Sequence, residues 1–143
     1  MVWTVKLLVI ANRTVDSAEL FRVLEERAER GPIDVTLVAP ASSDSESIRG
    51  AGVTSERLDR AVQRLREAGV ATEGMVVTAD PLVAVDEVWD PRNFDEVIVV
   101  TLPTGTSRWL SIDLPRRVAR LTGANVTHVV ATPSRRPVPS TGQ

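Results

Sequence analysis

The segment Leu102-Pro103-Thr104-Gly105-Thr106-Ser107-Arg108 holds the densest group of chemistry-bearing side chains in the chain. Three hydroxyls, one glycine and one arginine fall between Thr104 and Arg108. Hydroxyls, free backbone N–H groups and a following helix N-terminus can together hold an anion. The same residue types also suit a plain surface turn. One glycine is a weak signature, and the segment is neither a P-loop nor a G-x-G-x-x-G. A second polar turn, Asn12-Arg13-Thr14, follows the first apolar run. The candidate ligand-binding residues are therefore Asn12, Thr101, Thr104, Gly105, Thr106, Ser107 and Arg108.

The remaining reactive groups point to less. His128 is the single histidine and alternates with apolar residues inside a β-branched run. It reads as a core or interface residue with one hydrogen bond. Local spacing brings it no serine, carboxylate or second histidine, so no triad can be assembled. The chain has no cysteine. Disulfides, thiolate nucleophiles, iron–sulfur clusters, cysteine-ligated zinc and multi-histidine metal sites are thereby excluded. Arg116, Arg117 and Arg120 read as a solvated helix surface, and Asp86-Glu87 as a helix-surface pair. Trp109 follows the polar loop and is expected to pack over the sheet edge. No catalytic and no metal-ligating residue is assigned.

These residues need elements to position them, and the apolar periodicity supplies those. Thr4 to Ala11 reads as a buried strand. Asp16 or Ser17 can cap the helix after it, on which Leu20, Phe21, Leu24 and Ala28 share a face. Asp34 to Ala39 is a second strand. A serine-rich polar loop over Pro40 to Gly52 precedes a helix from about Ser55, with Leu58, Ala61, Val62, Leu65 and Ala68 in one stripe. Thr72 to Thr78 is a third strand. Asp80 caps a third helix with Pro81 in its first turn, and Leu82, Val85, Val88 and Trp89 face inward. Glu96 to Thr101 is a fourth strand and the most continuously apolar, with Val97 to Val100 uninterrupted, as a strand buried on both faces would be. Asp113 caps a short fourth helix carrying Leu114, Val118 and Leu121. Val126 to Thr132 is the fifth strand.

Strict alternation of strand and helix predicts an α/β fold: a parallel sheet with helices on both faces and right-handed crossovers. In such sheets ligands bind beyond the carboxyl ends of the strands, where the strand order reverses. The loops after strands one and four are therefore the places for a site.

Bulk composition agrees with one soluble domain. The chain has 143 residues, 43% hydrophobic and 25% charged, with a formal net charge of −2. That balance suits a globular protein with a core of its own and offers no field to draw it onto nucleic acid or an anionic membrane. No apolar run approaches the roughly 20 residues of a membrane span. Met1 to Ala11 carries no targeting pattern. The expected location is the cytoplasm. Residues 1–132 form the expected domain. Residues 133–143, rich in proline and polar residues, form an expected disordered tail.

The segments, taken in order, resemble the universal stress protein family from Val5 to Val130. LLVIANRT resembles the family's opening strand and its turn. VVTADPLVAVDEVWDPRNFDEVIVV resembles its third strand, "GDP" turn, third helix and fourth strand. RRVARLTGANVTHVVA resembles its last helix and strand. The run TLPTGTSRWLSIDLP is similar to a variant in actinobacterial relatives, with Thr101, Pro103, Ser107 and Trp109 as its family-specific positions. The resemblance implies a Rossmann-like, adenine nucleotide α-hydrolase-like three-layer fold with five parallel strands in the order 3-2-1-4-5. It also implies a homodimer through strand five, which makes Val126, His128 and Val130 the candidate interface.

Some members of that family bind ATP through Gly-x-x-Gly followed, at a set spacing, by Gly-Ser or Gly-Thr. The glycines let the backbone approach the phosphates. Here Thr101 and Thr104 stand in place of the first two glycines, Ile112 and Asp113 in place of the last pair, and Asn12 in place of an aspartate near the base and ribose. Asp113 would bring a negative charge toward a triphosphate. At an effective dielectric of about 20, like charges 4 Å apart repel by roughly 4 kcal/mol. Standard ATP binding is therefore expected to be lost, and no cofactor is expected. Three functions compete. The first is a non-catalytic regulatory or stress-response homodimer, which leaves room for a further protein partner. The second is a nucleotide- or anion-binding module using the two loops. The third, least supported, is a nucleotidyl- or phosphoryl-transfer enzyme, in which Asp113 and nearby hydroxyls would hold Mg²⁺.

Overall fold

Short β-branched runs become strands and longer amphipathic runs become helices, in strict alternation. The computed structural model describes residues 4–11, 14–40, 47–77, 80–101 and 113–131, with the backbone alone over 47–54. The elements are β1 (Val5–Ile10), α1 (Ala18–Arg30), β2 (Ile33–Pro40), α2 (Ser47–Glu67), β3 (Ala71–Val77), α3 (Pro81–Val88), β4 (Glu96–Thr101), α4 (Leu114–Thr122) and β5 (Asn125–Val130). All strand pairs are parallel, and the sheet order is β3-β2-β1-β4-β5. The order reverses between β1 and β4, whose register sets Ile10 beside Val99. This is the architecture that the alternation and the family resemblance imply.

The helices begin where side chains can satisfy free N–H groups. Ser17 Oγ accepts from the Leu20 amide at 3.3 Å, so Ser17 rather than Asp16 caps α1. Asp80 Oδ1 accepts from the Val83 amide at 2.9 Å, with Pro81 at the first helical position. An N-cap bond of this kind contributes about 1 kcal/mol. Gly123 ends α4 at φ 69°, a left-handed conformation that suits a glycine, and its N–H reaches the Ala119 carbonyl.

Two apolar layers sandwich the sheet. On one face Leu20, Phe21 and Leu24 of α1 and Leu58, Ala61, Val62 and Leu65 of α2 pack over Leu7, Val9, Val35, Leu37, Ile98 and Val100. On the other, Ala84 and Val85 of α3 and Leu114 and Val118 of α4 pack over Leu8, Ile10, Val38, Val97 and Val99. Leu82, Val88 and Trp89 are partly buried in that second layer, with Trp89 stacked on Phe94. Gly74 of β3 lies so close beneath α2 that an added Cβ would stand 2.8 Å from Val62 Cγ2 and 3.0 Å from Leu58 Cγ. At the amino end of β4, Arg27 grips Glu96 with two hydrogen bonds of 2.7 and 3.2 Å. The bond to Glu96 raises the Arg27 guanidinium above its ordinary value.

Several details differ from the sequence reading: Ala68, placed in the stripe of α2, is exposed just past the end of the helix, and the fifth strand closes at Val130 rather than Thr132. Helix α2 begins at Ser47, not near Ser55. Its polar, serine-rich composition made that stretch read as loop, yet serine is only mildly unfavourable in a helix and even glycine costs only about 1 kcal/mol against alanine. The spacing Ile48, Ala51, Ser55, Leu58 continues the helical period backward. Leu121 is exposed rather than inward, because α4 presents only Leu114 and Val118 to the sheet. No helix among the described residues is long and apolar enough to cross a membrane.

Candidate functional site

The strand order reverses between β1 and β4, and in open α/β sheets ligands bind beyond the carboxyl ends of the strands at such a point. Thr14 follows β1, and its Oγ1 donates to the Val100 carbonyl at 3.5 Å, tying the first turn to the end of β4. Ser17 caps α1 beside it. Thr101 ends β4. All three hydroxyl residues are buried, Thr101 at 1% exposure. They are buried because the sheet's centre is covered on both faces and β4 is a central strand.

Each of these hydroxyls already has a partner in the protein. Thr101 Oγ1 lies 2.7 Å from His128 Nε2 on the neighbouring strand. Either the hydroxyl donates to a bare Nε2, or Nε2–H donates to the hydroxyl oxygen. The parallel register sets Val99 beside His128 and Thr101 beside Val130, so Thr101 and His128 are diagonal neighbours on one face. His128 thus makes the single hydrogen bond expected of a strand histidine. Its ring is exposed, as is Val130, while Val126 is partly buried.

Asp16 is the polar group left over. Its Oδ1 is buried and has no hydrogen-bond partner. It sits in the turn between β1 and α1, beside the point where the strand order reverses. A carboxylate oxygen accepts O–H or N–H donors and repels phosphate. It suits the hydroxyl or amino side of a ligand, not its anionic end. The sequence offered Asp16 only as an alternative helix cap. Its one further signal was a carboxylate placed directly after the first strand's turn.

Asp113 departs from its expected role as a helix cap. It holds the N-cap position of α4, but its backbone is left-handed (φ 54°, ψ 51°) and its side chain makes no cap bond. Pro115, in the first turn, supplies no N–H for a cap, and the left-handed backbone turns the carboxylate away. The carboxylate lies instead 3.5 Å from Arg116 Nε in an exposed pair. Arg116, Arg117 and Arg120 are exposed, as a solvated face requires, and so are Asp86 and Glu87.

Of the candidate ligand-binding residues, Thr101 alone is described. Asn12, Thr104, Gly105, Thr106, Ser107 and Arg108 lie outside the described residues, as do Arg13, Pro103, Trp109, Ile112, residues 41–46 of the serine-rich segment and the C-terminal tail. No group of three or more His, Cys, Asp or Glu side chains that could hold a metal ion occurs among the described residues.

Comparison with known proteins gives a consistent picture at low identity. No family profile and no curated protein sequence matches the chain. Solved structures do. A universal stress protein family protein from Arabidopsis thaliana, with AMP bound, aligns over 97% of this chain and 99% of its own, with a TM-score of 0.59 at 15% identity. The universal stress protein from Archaeoglobus fulgidus aligns over 92% of this chain and 96% of its own, with a TM-score of 0.54 at 18% identity. A universal stress protein in complex with cAMP aligns over 92% of this chain and all of its own length (100%), with a TM-score of 0.50 at 17% identity. The sheet order, the helices on both faces and these full-length alignments agree: the chain has the fold of the universal stress proteins, as the resemblance of its segments implied.

Proposed function

We propose that this chain is a non-catalytic regulatory homodimer of the universal stress protein type, with the standard mode of ATP binding lost. The observation that carries the reading is the state of the hydroxyls around the strand-order reversal. Thr14, Ser17 and Thr101 are buried and bonded to the protein itself. A phosphate-binding wall needs free donors and close backbone approach. Thr101 and Asp113 stand where the family's ATP binders carry Gly and Ser or Thr, and Asp113 adds a negative charge. The same facts argue against an enzyme. The single imidazole faces a hydroxyl that is 1% exposed, beyond the reach of a substrate. The dimer rests on β5, the last strand of the sheet, with exposed Val130 and His128 beside it. A second copy would pair that edge with two-fold symmetry.

A second reading is favoured by two observations. Structures of this fold hold AMP and cAMP, and the orphaned Asp16 Oδ1 awaits a donor. In this reading the site beyond the carboxyl ends of β1 and β4 takes a nucleoside monophosphate, with Asp16 toward a sugar hydroxyl or base amine. Calorimetric titration with ATP–Mg²⁺, AMP and cAMP, alongside thermal melting and native mass, separates the two. Saturation at 100 times Kd stabilises by about 2.7 kcal/mol, which a melting curve resolves. The first reading expects a dimeric mass and no shift with ATP–Mg²⁺. A shift with AMP or cAMP alone would install the second reading, and a shift with ATP–Mg²⁺ would overturn the loss of standard binding.

A further inference from the structure

The hydrogen bond from Thr101 to His128 places the chain's single imidazole on the strand proposed to pair with a second copy. Within β5, Val126, His128 and Val130 share one face, which is the α3/α4 face of the sheet. A two-fold axis perpendicular to the sheet keeps each face on its own side. In antiparallel pairing, directly opposed residues also point to the same side. His128 can therefore stand opposite His128, Val126 or Val130 of the second copy. In the first case the two imidazoles are directly opposed, about 5 Å apart at Cβ. In the other two they are diagonal neighbours, about 7–8 Å apart. All three registers bring the histidines together.

We propose that protonation of His128 weakens the homodimer, so that the chain's self-association is switched by pH. The proposal rests on the dimer reading above. As neutral rings the two imidazoles pack between valines. As cations they are like charges at a strand pair, and such pairs are destabilising. Protonation also removes one choice at Thr101: Nε2 can then only donate, so the buried hydroxyl must place its own hydrogen elsewhere.

The surroundings add no second switch near neutrality. Among the described residues, the main elements packed against β5 are β4, α4 and α1. On β4 the charged group is Glu96, held by Arg27 at the far end of the strand. On α4 they are Asp113, Arg116, Arg117 and Arg120, of which Asp113 pairs with Arg116. The arginines keep their charge throughout, and their positive sign adds to the repulsion of an imidazolium. On α1, on the opposite face, they are Glu19, Arg22, Glu25, Glu26, Arg27, Glu29 and Arg30. With one histidine and no cysteine, the chain has no other side chain of a type that ordinarily titrates between pH 5.5 and 7.5.

Sedimentation equilibrium of the full chain at pH 7.5 and pH 5.5 tests this, with His128→Gln beside the wild type. Glutamine cannot charge, and its amide can still bond Thr101. The dimer dissociation constant of the wild type is expected to rise about two- to fivefold at the lower pH, the scale of one cross-strand pair contact, while that of His128→Gln stays level. A wild-type constant that does not change, or a variant that responds as the wild type does, overturns the proposal and leaves the dimer standing. A monomer at pH 7.5 overturns the dimer and the switch together. Should His128→Gln fail to fold by circular dichroism, the single imidazole signal in the wild-type proton NMR spectrum takes its place. Its titration midpoint must coincide with the midpoint of dissociation, and a separation of more than one pH unit refutes the switch.

Discussion

The two faces of the sheet are built to different thickness. One is covered by α1 and α2, of 13 and 21 residues; the other by α3 and α4, of 8 and 9 residues. The thick face buries three large side chains of α1 and the stripe of α2, adds Arg64 over the Phe21 ring at 4.2 Å, and presses Val62 and Leu58 onto Gly74. The thin face carries Thr101, His128 and Asp113, and exposes Val83, Leu121 and Val130. Stability is concentrated where long helices lie flat on the sheet. Among the described residues, chemistry and unusual backbone are concentrated on the face with the shorter helices.

The sharpest way to break that contrast is to make one chemical change on each face. Leu65→Ala on α2 and Leu114→Ala on α4 both delete a side chain that is essentially fully buried. Urea unfolding is expected to show a loss of about 3–5 kcal/mol for Leu65→Ala and about 2–3 kcal/mol for Leu114→Ala, because a short helix can settle into the cavity. Equal losses, or the reverse order, would mean that the thin face is packed as firmly as the thick one.

A smaller effect probes over-packing on the thick face. Gly74→Ala sets a methyl group 2.8 Å from Val62 Cγ2. A loss of about 1–3 kcal/mol is expected. Adding Val62→Ala should recover part of it, a coupling that a double-mutant cycle measures. No loss on Gly74→Ala would show that α2 can lift from β3 at little cost.

The smallest effects compare the two aspartates that precede the thin-face helices. Asp80→Ala removes the cap bond to Val83 and should cost about 1 kcal/mol. Asp113→Ala removes no cap bond and a weak exposed pair, while Asp113→Gly relieves a left-handed backbone and is expected to leave stability level or raise it by up to about 1 kcal/mol in thermal melts. An Asp113→Gly loss as large as that of Asp80→Ala would sink the assignment of strain to Asp113.

Those two aspartates also mark how far a sequence can be read. Both precede an apolar helix with a proline in its first turn, so both read as caps. At α3 the proline is the first helical residue, the Val83 amide is available, and the expectation holds. At α4 the proline is the second helical residue, so the first of the two amides a cap can bond is missing, and Asp113 makes no cap bond. The backbone turns left-handed at Asp113, and local pattern carried no sign of it. Similarly, the serine-rich polar composition hid the start of α2, whose backbone is helical from Ser47. Within the candidate site, Thr101 was named at the end of a buried strand, where the family resemblance sets a glycine. Its bond to His128 was not legible, because it depends on the register of two strands that are far apart in sequence.

Sequence alone determined what depends on local period and residue type. The β-branched runs, the helical stripes and their alternation specify a parallel three-layer sheet, since each apolar face must be buried and crossovers are right-handed. The absence of cysteine and the single histidine set the available chemistry before any fold was known. Tertiary structure decided what depends on which atoms meet across the sheet: that Thr101 spends its hydroxyl on His128, that Asp16 keeps one buried oxygen unpaired, and that Asp113 bends rather than caps. Side-chain partnership is fixed by register and by the angle at which each helix lies, and neither quantity is written in any local stretch of the chain.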